Sequence, residues 1–262
     1  MSAILRSQLT SRWRGFVAWA VGLLAVIGLY LPLYPSMQTP SMNEMLASLP
    51  PELVETLGYD QITSGPGYAE STFFKLTGFI ILTIAAVAWG SAAIAGAEES
   101  GELELTLTRA VSRRAYALGS AAALLALLAG LGVVVFAAIA ALNGPSELEL
   151  SLGNLAGATA AWVLLAAVTG AASLCAGAAT GRKLWATCAG AAMAIVDYTA
   201  DALAGMHEPL EWLRLFSPFY WAFGNQPLLN GVDAAGLCAL AGLAAVLIAA
   251  AAWALSRRDI TG

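Results

Sequence analysis

Two aspartates four residues apart, Asp197 and Asp201, stand in an otherwise apolar stretch beside Tyr198. At that spacing both carboxylates share one helix face. Counted from Leu184 at about 1.5 Å per residue, Asp197 lies roughly 20 Å along the stretch, where an ionised carboxylate must face water or a partner. The pair therefore either borders the mouth of a polar pathway, or is solvated beyond a helix that ends near Val196. A second cluster runs Glu98-Glu99-Ser100-Gly101-Glu102-Leu103-Glu104, followed by Arg109-Ala110-Val111-Ser112-Arg113-Arg114. Acidic residues come first and basic ones last, which complements the dipole of a helix running through them. Residues 102–108 also alternate apolar and polar, a strand-like pattern. A lone strand here has no ladder partner, so helix is expected. A connector whose charges only set topology remains the alternative.

Other chemistry is excluded or left without support. Lys75 and Lys183 are the only lysines, and neither lies in a Gly-x-x-x-x-Gly-Lys-[Ser/Thr] context, so the chain has no P-loop. His207 is the single histidine and rules out paired-His zinc motifs; its Gly-Met-His-Glu-Pro setting suits a loop. Cys175, Cys188 and Cys238 lie in Ala/Gly-rich apolar stretches and read as small buried or lipid-facing residues. No serine or cysteine nucleophile has a base and an orienting group arranged nearby, so the chain is not expected to be an enzyme. No Arg/Lys stripe points to nucleic acid.

The elements that must position these residues follow from composition. About 59% of the chain is apolar and 11% charged, far short of the roughly 25% charged residues of a soluble domain. The expectation is an all-α polytopic membrane protein in contact with the lipid bilayer. A span needs about 20 mostly apolar residues, and six stretches qualify: 15–34, 73–95, 115–142, 155–180, 184–204 and 234–255. Arg6, Arg12, Arg14, Arg109, Arg113, Arg114, Arg182, Lys183, Arg257 and Arg258 fall on one side of these spans, leaving Lys75 and Arg214 opposite. The basic side is cytoplasmic by the positive-inside rule, so both termini are expected inside. The stretch from Phe16 is too long for a signal peptide and reads as a retained first anchor.

Residues 1–14 place Ile4, Leu5, Leu9 and Trp13 among polar and basic groups, which suits an amphipathic helix on the inner surface. Residues 15–262 then form one six-span domain with an inner loop at 96–114 and an outer loop at 35–72. An outer segment at 205–231 concentrates Trp212, Phe216, Phe219, Tyr220 and Trp221, and Pro218 and Pro227 break it. Such aromatic, interrupted sequence suits interfacial or re-entrant helices.

Six spans with both ends inside, the acidic Gly-containing loop Glu98–Leu105 with its Arg109-Ala110-Val111-Ser112-Arg113 sequel, Ser217-Pro218-Phe219-Tyr220-Trp221 and the closing Arg257-Arg258-Asp259-Ile260 together resemble the permease subunit of ABC-2 type ABC transporters. Ala110 stands where that family often has Pro. The resemblance implies a coupling helix around Glu98, Glu99, Gly101, Glu102, Arg109 and Arg113, seated on a separate cytoplasmic P-loop ATPase that binds ATP and Mg, with none bound by this chain. It implies pairing with a second copy or a related six-span permease in the cytoplasmic membrane. Spans two and five would line the pathway, with Asp197, Tyr198 and Asp201 as candidates. The segment holding Trp212, Pro218, Tyr220 and Trp221 would cap it outside. The long outer loop favours export. Alternatives are an ion-gradient-driven secondary transporter and a non-transporting scaffold or accessory subunit.

Overall fold

The computed structural model describes residues 2–37, 64–107, 112–206 and 208–258. Arg109, His207 and most of the expected outer loop lie outside the described residues. Among those described, every regular element is helical.

Helix α1, Ser2–Tyr30, continues through a 3₁₀ turn at Leu31–Leu33. The N-terminal 14 residues were expected as a separate surface helix, but they run unbroken into the first span. No proline interrupts the chain before Pro32, and the lone Gly15 at the junction is tolerated inside a helix. Helix α2, Gly65–Glu99, starts eight residues earlier than expected. Ser64 caps it by accepting from the Gly67 N–H, and Pro66 sits in its first turn, where a missing N–H costs nothing. Two π segments, Glu70–Thr77 and Ala92–Gly96, interrupt α2. The chain then turns at Gly101, whose φ of 77° favours glycine, into the short α3, Glu102–Leu107. Helices α4 (Arg113–Leu142), α5 (Leu152–Thr180) and α6 (Lys183–Met206) follow. A 3₁₀ stretch at Glu208–Phe216, helix α7 (Pro218–Phe223) and a π turn at Gln226–Asn230 lead to α8, Ala234–Arg257.

Five helical stretches are long and apolar enough to cross a membrane: Ile4–Ser36, Gly65–Glu99, Arg113–Leu142, Leu152–Thr180 and Ala234–Arg257. Helix α6, the expected fifth span, has 24 residues but is not among them, and it carries Asp197 and Asp201. It packs beside α2 and α5. The helices expose Val17, Val21, Ile84, Val133, Ile195 and Val246. Large apolar side chains facing outward at several helices suit a lipid environment.

Helix α5 is the hub and packs against α2, α4, α6 and α8. Small residues permit this, since helices in lipid associate mainly through close backbone approach and van der Waals contact. A Cβ on Gly90 of α2 would collide with the Gly170 carbonyl of α5, and one on Gly190 of α6 with the Ser173 hydroxyl of α5. Both α2 and α6 are thus seated on α5 at contacts that only glycine permits. The charged groups sort by end. Arg12, Lys183 and Arg258 meet the 96–107 hairpin at one end, called here the basic end, where Arg113 donates to the Arg258 carbonyl. Lys75, Arg214 and the 208–230 pieces occupy the other.

Candidate functional site

Between α2 and α6, with α5 behind, lies a groove of about 630 Å³. Its walls run from Lys75 to Ser91 on α2 and from Lys183 to Thr199 on α6. Sixteen helical steps on each wall make it roughly 24 Å long. The half toward the far end carries the bulky Leu76, Phe79, Ile80 and Ile195, with Lys75, Tyr198 and Thr199 at its mouth. The half toward the basic end is lined by the smaller Val87, Ala88, Ser91, Thr187 and Ala191. The site thus falls between the two helices expected to line a pathway.

Of the three expected pathway residues, Tyr198 lines this groove, and Asp201 lines a smaller pocket beside its far mouth with Lys75, Tyr198 and Phe219. Asp197 does something else. It is buried, and its Oδ1 accepts from the Ser217 hydroxyl at 3.0 Å and the Phe219 N–H at 2.8 Å. The Ser217 hydroxyl oxygen in turn accepts from the Tyr220 N–H at 3.2 Å. Pro218, at the first helical position, has no N–H. The exposed donors at the start of α7 are therefore met one by one: Phe219 by α6 and Tyr220 by its own cap. Asp197 is neither solvated nor in the groove. It fastens α7 to α6.

A second carboxylate fastens the next piece. Glu70 is 2% exposed, pairs with Lys75 at 2.9 Å and accepts from the Leu228 N–H at 3.0 Å. Asn154 of α5 donates to the Leu228 and Leu229 carbonyls, both at 3.1 Å. The 217–230 hairpin thus hangs from α2 and α6 by buried carboxylates and from α5 by the half-buried Asn154 amide. Aromatic rings close the same junction: Phe219 meets Phe79 at 5.2 Å and Tyr198 at 5.3 Å, both edge-on. Pro218 is buried, whereas Trp212 and Phe216 are exposed on the 3₁₀ stretch. The Trp221 indole N–H donates to the Leu215 carbonyl, and the Arg214 guanidinium lies over the Tyr220 ring. Exposed Trp212, Leu215 and Phe216 at this end suit headgroup depth.

At the basic end, the acidic hairpin divides by role. Glu98 pairs with Arg258 beyond α8, and Arg113 donates to the Arg258 carbonyl. Glu99 accepts from the Lys183 N–H at 2.8 Å and so caps the start of α6. These residues tie the hairpin to α4, α6 and the end of α8. Helix α3 is held by Leu103, which is fully buried, and turns Glu104 and Leu105 outward, Leu105 being 70% exposed. Glu102 is exposed and, with Ile4, Gln8 and Arg12 of α1, lines a second groove of about 540 Å³. The Arg12 guanidinium donates to the Trp89 carbonyl at 2.8 Å, fixing α1 against α2. Helix α6 therefore has a carboxylate contact at each end: Glu99 from the basic-end hairpin, and its own Asp197 to the far-end hairpin.

The family described as ABC-2 family transporter protein matches this chain over residues 2–260. No curated protein matches it.

Proposed function

The chain belongs to the ABC-2 family of transporter proteins, and from that premise we propose that it is the membrane-spanning half of an ATP-driven exporter. A separate cytoplasmic P-loop ATPase binds the ATP and Mg. A second copy of this chain, or a related six-span chain, completes the pathway. In this reading α6 crosses the membrane as the fifth of six spans, the basic end faces the cytoplasm with both termini, and the 208–230 pieces face outward.

The observation that carries the proposal is the double attachment of α6. The ATPase would seat on the exposed face of α3, at Glu104 and Leu105. Movement of the hairpin would reach α6 directly, because Glu99 holds its first turn. Helix α6 forms one wall of the groove and carries the outer cap through Asp197. One helix would thus convey ATPase closure to both the pathway and its outer cover, as a rigid element biased from both ends. Affinity purification of the tagged chain from its native membrane tests this. A P-loop ATPase should co-purify and be lost in Leu105→Asp, while the permease itself stays folded. Co-purification unaffected by Leu105→Asp and by Glu104→Lys would remove α3 as the docking element.

A further inference from the structure

We propose that the groove between the first turns of α1 and the 96–107 hairpin holds the headgroup of a cytoplasmic-leaflet phospholipid whose phosphate carries a primary amine. This goes beyond the exporter reading and takes from it only that the basic end faces the cytoplasm.

Three observations converge. The first is a set of opposite charges that face one groove without meeting. Arg12 of α1, Lys183 of α6 and Glu102 of α3 all line the groove of about 540 Å³, a volume within the roughly 300–1,000 Å³ of small-ligand sites. Among the described residues, none of the three forms an ion pair. The Arg12 guanidinium spends one donor on the Trp89 carbonyl, and its other nitrogens are not enclosed. At Glu102 the backbone carbonyl is engaged, by the Thr106 hydroxyl, while the carboxylate is left exposed. A ligand with an anion and a cation a few bonds apart complements both walls at once; a plain anion or a plain cation complements one and is repelled by the other.

The second is the depth of the groove. At the basic end α1, α6 and α8 each expose a tryptophan: Trp13, Trp185 and Trp253. The Arg257 guanidinium lies 5.0 Å from the centre of the Trp253 ring. Exposed indoles at one level on several helices mark the headgroup region of a bilayer. Trp13 adjoins Arg12, and Trp185 stands two residues from Lys183. Both cations are therefore at the level of lipid phosphates. A soluble zwitterion must be drawn there from water, whereas a phospholipid head is already present at bilayer concentration.

The third is the order of the charges. Arg12 lies four residues, about 6 Å, further along α1 toward the membrane than Gln8, and it is anchored on the body of α2 at Trp89. Glu102 stands on α3, beyond the end of α2 at Glu99. The cations are thus on the bilayer side and the carboxylate on the cytoplasmic side. A phospholipid head presents its charges in that order, phosphate next to the glycerol and amine beyond it. A primary ammonium has three N–H donors, and the cytoplasmic side supplies acceptors for them. Gln8 spends an Nε2–H on the Tyr116 hydroxyl at 3.4 Å, which leaves its Oε1 beside the Glu102 carboxylate on the groove wall. A choline head has no N–H to give them, and a glycerol head has no positive charge.

The bound head would join α1 to α3. Helix α3 has six residues, and Leu103 is its buried contact with the bundle. A head bridging Arg12 and Glu102 adds a second attachment, so its occupancy is read in the protection of the α3 amides. Bilayer composition would then set how firmly the hairpin is held against the first span.

The test uses the full chain without ATPase in nanodiscs of phosphatidylcholine, read by hydrogen–deuterium exchange. In parallel discs part of that lipid is replaced by phosphatidylethanolamine or phosphatidylglycerol of the same acyl chains. Phosphatidylethanolamine should slow exchange across α3 and the first turns of α1 by about fivefold or more, with the 217–230 hairpin unchanged, and phosphatidylglycerol should do so far less. Glu102→Gln, at an exposed position, should erase the difference between ethanolamine and choline heads. Lys183→Gln should reduce it and Lys183→Arg should keep it. Soluble glycerophosphoethanolamine added to phosphatidylcholine discs should leave exchange as it was. Equal protection in all three lipids, stronger protection by phosphatidylglycerol, or a preference that survives Glu102→Gln would overturn the proposal. Protection by the soluble headgroup equal to that by the lipid would overturn the lipid as its source. Because no ATPase is present, failure here is distinguishable from failure of the exporter reading.

Discussion

Replacing Asp197 by alanine removes the acceptor of the buried Phe219 N–H, while the Ser217 hydroxyl keeps only the Asp197 backbone carbonyl at 3.3 Å. A buried donor left unsatisfied costs about 1–3 kcal/mol, so the attachment of α7 to α6 weakens by about that much. At 1.4 kcal/mol per tenfold, the detached hairpin becomes about five to a hundred and forty times more populated. Asn at the same position keeps an Oδ1 that can accept both bonds, and is expected to change that population by no more than about tenfold. Hydrogen–deuterium exchange in nanodiscs reads the effect. Amides of α7 should lose protection in Asp197→Ala and largely retain it in Asp197→Asn, while α5 is unchanged in both. Exchange of α7 within twofold of wild type in Asp197→Ala would refute the claim that Asp197 fastens this hairpin. Equal damage from Ala and Asn would show that the acceptor geometry is not what matters.

Three more expectations follow from the packing. Glu98→Lys faces Arg258 with a like charge in a partly buried site and should destabilise the basic end by about 1–3 kcal/mol; adding Arg258→Glu should restore much of the lost melting temperature. Glu99→Ala removes a side-chain cap from α6 and should cost about 0.5–2 kcal/mol, seen as faster amide exchange in the first turn of α6 with the far hairpin unaffected. Gly190→Val drives a side chain into Ser173 of α5 and should cost about 1–3 kcal/mol or more, whereas Gly22→Ala, with open space around it, should leave the melting temperature unchanged.

The sequence reading recovered what hydropathy and local caps control. The all-helical membrane class, the long apolar helices and the helical state of 102–107 despite its alternating pattern follow from patterns within a single segment. The start of α2 at Gly65 was missed because Gly-Pro-Gly reads as a breaker in isolation, yet it also serves as a first helical turn once Ser64 caps it. The two π segments of α2 have no periodicity signal that hydropathy could detect. Glu70 and Asp197 show the larger limit. Pattern reasoning sends carboxylates to water or to a polar pathway, because it cannot see a backbone N–H 158 residues away, at Leu228, or 22 residues away, at Phe219. The only local hint was Ser217-Pro218, a helix start whose remaining donors needed an acceptor from elsewhere. Glu98 and Glu99 follow the same logic: their type and spacing marked the hairpin, but Arg258 and the start of α6 became visible as partners only in the fold.

The account rests most on an ATPase acting through α3 and α6, and native mass spectrometry of the complex released directly from its own membrane tests that. The account predicts two six-span chains bound to two P-loop ATPase chains, with Leu105→Asp yielding the membrane pair alone. A wild-type chain released repeatedly without any ATPase, under conditions that hold such complexes together, would contradict it and return the weight to a gradient-driven transporter or a scaffold.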